Sequence, residues 1–377
     1  MPHADRIDGP RPARAEERDA CIALADRVFR LDADMQPSMG REFPTLFAED
    51  NVENLYVIGV DGELVALFGV YEQVTVIDDV EIPVACVGAV CTHADHRGRG
   101  YAGRLMDLAV ERTRAAGNRL MYISGRQRIY LARGASRIHS IVRASLPSDR
   151  AVPVSADGVR HYVPVDLPAV TRLHDRQPLR FRWDPEPTAA HMNAHLSLGC
   201  GAWVYAPGGS IDGFLLVRHQ QPLFWGVPGH GDVVECYGEP DAVAAMASAA
   251  CRELKIDALD FPMWHSETGR RKMVEPLDAT WSTELSRWTV KVLDLAGLVA
   301  DLIRNDNMVQ LTANGNALTI ATPSESVTLR EADDGNATLF GEAEHWPAAV
   351  RRLDEADQTA LRKRLPIPLC SYGINYI

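Results

Sequence analysis

The chain has 377 residues, enough for two or three domains, and its 46% hydrophobic content is that of an ordinary folded protein. With 39 Lys and Arg against 51 Asp and Glu, the formal net charge of −12 excludes a nucleic-acid partner, which needs basic stripes, and suits a cationic small molecule attracted at long range. No run spans a bilayer, the N-terminal residues lack a secretory apolar core, and the seven cysteines form no Cys-x-x-Cys, so a cytoplasmic protein without membrane contact, disulfide framework or zinc site is expected.

Arg14–Arg30 predicts a helix with Cys21, Ile22, Leu24, Ala25, Val28 and Phe29 on one face. Leu31–Glu49 reads as a short helix with flanking loops. Leu55–Val60 and Leu64–Val76 read as strands joined at Asp61-Gly62, a strong hairpin signal. A turn at Asp78-Asp79 leads into Val84–Val90, an apolar run with the length and β-branched content of a buried strand. Cys91–Asp95 then turns into His96-Arg97-Gly98-Arg99-Gly100-Tyr101-Ala102. A helix over Gly103–Ala116, stopped by Gly117, a strand Arg119–Ser124 and a short helix Gln127–Arg133 follow. Strand, glycine- and arginine-rich turn and helix together make an anion site, because the first helical N–H groups are unpaired and the helix dipole favours negative charge there. The turn has neither the Gly-Lys-Ser/Thr of a nucleotide-phosphate loop nor the three spaced glycines of a dinucleotide site.

Pro153, Pro164 and Pro168 mark a connector over 151–175, after which the order recurs. Ala202–Tyr205 and Gly213–His219 flank a turn at Pro207–Ser210; Gly231–Tyr237 is a strand, Asp241–Leu254 an alanine-rich helix and Ala258–Met263 a strand. The turn equivalent to the anion loop is Gly238-Glu239-Pro240-Asp241, which is acidic and repels a pyrophosphate. This part is expected to be a second, degenerate copy without a cofactor site. From Arg287 the texture changes: an amphipathic helix over Val290–Ile303, short strands at Met308–Thr312, Ala317–Thr322, Ser326–Arg330 and Ala337–Gly341, and a last helix over Trp346–Leu353 form a small α+β domain. The expected division is 1–150, 151–286 and 287–377.

Arg97-x-x-Gly100-x-Ala102, behind a strand ending Val90-Cys91-Thr92, resembles the pyrophosphate loop of the GNAT acetyltransferases, and the element order of residues 1–150 is similar to theirs. Two such copies followed by a small α+β domain resemble the enhanced-intracellular-survival family of aminoglycoside acetyltransferases, whose third domain is sterol-carrier-protein-like. The ending Tyr-Gly-x-Asn-Tyr-Ile is similar to that of the kasugamycin 2′-N-acetyltransferases. The resemblance implies an α/β (α+β) chain of tandem GNAT folds, the second degenerate. It implies direct acetyl transfer from acetyl-CoA, without a metal, to an amine of a cationic aminoglycoside-type antibiotic, conferring resistance. Val90, Cys91 and Thr92 would hold the pantetheine arm and thioester carbonyl, and Arg97, Gly98, Arg99, Gly100, Tyr101 and Ala102 the pyrophosphate.

Tyr130 stands where that family carries its proton donor; an unperturbed phenol has a pKa of about 10 and is protonated at neutral pH. No base is evident on Val84–Val90, and Glu81 is well upstream. The family uses the carboxylate of its last residue, here Ile377, in place of the expected aromatic residue. A free α-carboxylate has a pKa of about 3.5, so removal of the amine proton and anchoring of the ammonium both stay open. The tail Leu365–Ile377 carries no charged side chain and should be buried, as an insert in the active site, as simple docking or as an oligomer contact. A homo-oligomer is expected. Cys91, beside His93 and His96, reads as a packed hydrophobe rather than a nucleophile. Trp183, Asp184, Trp264 and His265 are candidate linings of an amine pocket. A protein-lysine or polyamine acetyltransferase, or a non-enzymatic acyl-CoA- or lipid-binding protein, would use the same residues.

Overall fold

The computed structural model describes residues 5–125, 127–137, 140–149, 157–219, 227–285, 288–370 and 373–375. The first stretch gives β1 (Ile7–Pro12), α1 (Arg18–Phe29), α2 (Met39–Glu42), β2 (Leu55–Val60), β3 (Glu63–Ile77), β4 (Val80–Thr92), α3 (Tyr101–Ala115), β5 (Leu120–Ile123), α4 (Arg128–Leu131) and β6 (Ser136–Arg137). The middle gives β7 (Ser140–Pro147), β8 (Val159–His161), α5 (Leu167–His174), β9 (Leu179–Phe181), α6 (Pro185–Ser197), β10 (Gly201–Tyr205), β11 (Gly213–Arg218), β12 (His230–Tyr237), α7 (Pro240–Leu254), β13 (Ala258–Trp264), α8 (Thr268–Val274) and β14 (Thr280–Leu285). The last part gives β15 (Thr289–Val292), α9 (Leu295–Leu302), β16 (Gln310–Asn314), β17 (Ala317–Ala321), β18 (Ser326–Leu329), α10 (Ala332–Phe340), α11 (Ala348–Arg351) and α12 (Glu355–Arg362).

Asp61 and Gly62 both have positive φ (52° and 93°), the type I′ geometry that matches strand twist, and they close the β2–β3 hairpin. Asp78 and Asp79 turn β3 into β4 in the same region of φ. The first sheet runs β1-β2-β3-β4-β5-β15-β6, with β9 paired to β3. Both faces are covered, which is why β4 reads as a continuous apolar run rather than an alternating one. Leu55, Val57, Leu67, Val84, Cys86 and Leu120 face α1 through Leu24 and Ala25. Tyr56, Ile58, Phe68, Ala85, Val87 and Met121 face α3 through Leu105, Met106 and Ala109.

The second sheet runs β14-β7-β13-β12-β11-β10-β8. Its β12–α7–β13 unit has a parallel strand pair, His230–Asp232 against Ala258–Asp260, and reproduces β4–α3–β5, where Val84–Val87 runs parallel to Leu120–Ile123. The expected tandem mixed α/β architecture is the one observed. The sheets exchange strands along the chain: β7 joins the second sheet, while β15, from after residue 286, covers β5 in the first. The third sheet, β16-β17-β18, is small and packs through Leu311, Leu318, Ile320 and Leu329.

Several local expectations are corrected. The helix over Val290–Ile303 is a strand, β15, followed by a helix that starts at Leu295 behind the Asp294 cap, whose side chain accepts from the Gly297 N–H. Ala337–Gly341 is the end of α10 rather than a strand. The expected helix Trp346–Leu353 shrinks to α11, and α12 follows it behind an Asp354 cap. The connector over 151–175 holds α5.

Candidate active site

The parallel pairing of β4 and β5 ends at Val87 and Ile123. Beyond it β4 runs on to Thr92, paired only with β3 among the described residues. Just past that point β4 carries a bulge: Leu67 lies opposite Cys91 but Gly69 opposite Gly88, one residue more on β4 than on β3. Ala89 takes the left-handed conformation (φ 52°) that the bulge needs. A cleft therefore opens between β4 and β5, with the main chain of Val90, Cys91 and Thr92 along one wall. The Thr92 carbonyl is already engaged by Arg97 Nε at 3.1 Å. The bulge was not expected, although Gly88 inside an apolar strand is its signal.

The strand leads directly into the glycine- and arginine-rich turn. Gly98 and Gly100 have φ of 77° and 76°, and a Cβ built at either would meet nothing within 4 Å, so the glycines serve the backbone conformation and leave open space over the turn. No side chain caps α3, so its first N–H groups point into that space. Residues 97–100 are exposed, while Tyr101 is buried in the sheet's α3 face and anchors the helix. Arg99 pairs with Asp5 at 2.5 Å and Arg97 is held back on Thr92, which leaves two guanidiniums beside the turn. Small residues, unpaired N–H groups and positive charge fit a pyrophosphate.

Tyr130, on α4 just after β5, is 5% exposed and lies with Tyr101, Leu105 and Val87. Its ring rests on Gly125, where a Cβ would come within 2.9 Å of Cε2. Burial, with a smaller contribution from Cys91, pushes the phenol well above its ordinary pKa, so it stays protonated. Its hydroxyl has no hydrogen-bond partner among the described residues. Cys91 is buried and its thiol is likewise pushed up by burial, the wrong direction for a nucleophile.

The acetyltransferase (GNAT) domain profile matches residues 9–138. This stretch of the chain is a GNAT acetyltransferase domain. GNAT domains use acetyl-CoA as their co-substrate. No curated protein gives a significant match to the sequence. Among solved structures the chain is similar to a GCN5-related N-acetyltransferase from Anabaena variabilis, with 13% identity, a TM-score of 0.67 and 98% of each chain covered. It is also similar to one from Kribbella flavida, with 16% identity, a TM-score of 0.61 and coverage of 86% of this chain and 83% of that one. Eis1 from Mycobacterium abscessus gives 13% identity, a TM-score of 0.58 and coverage of 88% and 86%. At these identities the likeness is one of fold, and it extends well beyond the GNAT domain into the second sheet.

The tail reaches the GNAT domain at Gln73 of β3. Trp264 Nε1 donates to the Cys370 carbonyl at 3.0 Å. The Ile374 N–H donates to Glu235 Oε1 at 3.0 Å. Asn375 is held on three sides: its Nδ2 donates to Gln73 Oε1 at 2.5 Å, its carbonyl accepts from Gln73 Nε2 at 3.3 Å, and its Oδ1 accepts from Trp183 Nε1 at 3.1 Å. Gln73 sits on β3 opposite Val84 of the cofactor strand. Trp183 and Trp264 thus hold the tail. Asp184 lies with Tyr71, Glu72, His191 and Asn375 around a cavity of about 200 Å³, and His265 is exposed near Glu342 at 3.8 Å. Tyr376 and Ile377 lie outside the described residues.

In the second copy an arginine occupies the corresponding gap, beside a cavity of about 140 Å³. β12 carries a matching bulge, with Leu216 opposite Glu235 but Val217 opposite Val233. Between the parting strands sits the guanidinium of Arg270, a side chain 11% exposed. It donates to the Pro262 carbonyl of β13 at 3.1 Å and the Val234 carbonyl of β12 at 3.4 Å, and pairs with Glu235 at 3.5 Å. The Tyr237 hydroxyl lies in hydrogen-bond contact with both Glu235 and His174 Nδ1, the latter at 2.8 Å, and His174 stacks on Trp183 with centroids 3.8 Å apart. Sequence reasoning missed this chain of groups. Glu235 within the apolar run Val233–Tyr237 is the signal that could have found it.

Proposed function

We propose that the chain is an acetyl-CoA-dependent N-acetyltransferase that acetylates an amine of a cationic aminoglycoside-type antibiotic, kasugamycin being the first to test, and so confers resistance. The observation that supports this reading is that the tail is fastened to the same sheet that carries the cofactor cleft. The cleft beyond Val87 and the glycine turn at Gly98–Gly100 serve the co-substrate, and Asn375 is fastened to Gln73 on the strand next to that cleft. Glu72 and Asp184 line the cavity beside Asn375, where Arg182 pairs with Asp184 at 3.3 Å, and the net charge of −12 attracts a cation to the molecule as a whole.

In this reading the main-chain N–H groups of Val90–Thr92 polarise the thioester carbonyl. The neutral amine attacks that carbon, the C–S bond breaks, and the Tyr130 phenol gives its proton to the departing thiolate. The Ile377 carboxylate holds the ammonium form and receives or relays the proton it loses. Alignment of the two reactants in one cleft supplies much of the rate. The test is acetyl-CoA consumption over a panel of amines with kasugamycin, other aminoglycosides, polyamines and lysine peptides. Turnover with the aminoglycoside class is expected. Tyr130→Phe and removal of Ile377 should each lose turnover while acetyl-CoA still binds. Normal turnover in both variants refutes the site, and a panel that is inert throughout refutes the function.

A further inference from the structure

The second copy keeps the parting strands and the bulge of a cofactor cleft, yet Arg270 fills the gap between them. The carboxylate that neutralises Arg270, Glu235, is buried and uses its other oxygen to accept the N–H of Ile374 in the tail. From Glu235 a continuous chain of contacts runs through Tyr237 and His174 to Trp183, and the Trp183 indole donates to Asn375. Each group in the chain has a partner on either side, so the tail is seated by one connected unit. All of that unit except Asn375 belongs to residues 174–270.

We propose that Glu235, Arg270 and Trp183 are positioning residues of the first copy's reaction: the arginine-filled gap of the second copy has become a clamp that fixes Gly373–Asn375 against Gln73 of β3. This rests on the acetyltransferase reading above. The clamp acts on the tail and touches neither the glycine turn nor Tyr130. Its loss therefore lowers the rate of the chemical step and leaves acetyl-CoA binding as it was. A role confined to stability would do the reverse, lowering the melting temperature with normal turnover per folded molecule.

Trp183→Phe keeps the ring on His174 and removes only the N–H to Asn375; Asn375→Ala removes that acceptor together with the Nδ2 bond to Gln73 and is the stronger of the two. Removal of Arg270 or Glu235 alone would leave a buried unpaired charge, so these two milder variants carry the test. Backbone hydrogen exchange of the tail and steady-state kinetics with the acetylated amine are measured on the full chain. Loss of one buried hydrogen bond should speed tail exchange about tenfold and lower kcat about tenfold, with the KM for acetyl-CoA and the melting temperature unchanged. Unchanged tail exchange overturns the clamp, as does faster exchange with an unchanged kcat. If the unaltered protein acetylates no amine, the acetyltransferase reading fails and the exchange result alone decides the clamp.

Discussion

Acid should weaken this protein well before its ordinary carboxylates titrate, because three buried imidazoles surround the tail. His174 stacks on Trp183, His191 lines the cavity beside Asn375 and bonds Thr45 Oγ1 at 3.1 Å, and His195 lies under Ile374. Burial pushes their pKa values down to about 4, about 4 and about 3, with the Arg218 charge a further cause at His195. In the unfolded chain each returns to about 6.5. Near pH 5 the unfolded state thus binds almost three more protons at these sites, about two at pH 6 and pH 4, and stability falls as pH falls. Asp232, which burial raises to about 6, works in the opposite sense and removes about one proton from the difference. Glu235, also raised by burial, removes part of another. A net one to two protons corresponds to about 2 kcal/mol of lost stability per pH unit near pH 5. Urea unfolding followed by tryptophan fluorescence at pH 7.5, 6.0 and 5.0 measures this slope. His174→Gln should flatten it by about 1.4 kcal/mol per unit. A stability that is level or rises from pH 6.5 to pH 5 would refute the burial of these rings as neutral species.

Further outcomes follow from other sites. With Gly100→Ala the left-handed conformation costs about 1–2 kcal/mol, so the exposed turn relaxes out of it when free and must regain it on binding; acetyl-CoA binding by calorimetric titration should weaken roughly 5- to 30-fold with little change in melting temperature. Ala89→Gly relieves the same conformation in the β4 bulge and should stabilise by about 0.5–1 kcal/mol in urea unfolding. Arg143→Met leaves Asp260, 0% exposed and 2.9 Å from the guanidinium, without that partner and should cost about 3–5 kcal/mol by the same measurement.

The glycine turn and its flanking elements were legible because local chemistry alone dictates them: an apolar run, two glycines at positive φ and a helix with its first N–H groups free. The repeat was legible for the same reason, since β12–α7–β13 has its own run, turn and alanine-rich helix. What was hidden depends on partners far away in the chain. Val290 looks helical in sequence, yet Thr289–Val292 has the bare edge of β5 to fill, and tertiary pairing overrides periodicity there. Trp183 and Trp264 were noticed as aromatic residues near a site, but only the fold shows that each donates a hydrogen bond to the tail rather than facing a ligand. The Arg270 plug could not be read at all, because α8 must fold back over both parting strands before its guanidinium has anything to bind.

The position of β15 also sets an order of events during synthesis. Among the described residues, the free side of β5 is covered only by Thr289–Val292, and Ser136–Arg137 joins the sheet only through that strand. When residue 137 has left the ribosome, about 150 residues must still be made, which takes roughly 8–30 s at 5–20 residues per second. Throughout that interval the sheet that carries the glycine turn has an open edge, and the anion loop can be shaped long before the layer that supports it is closed.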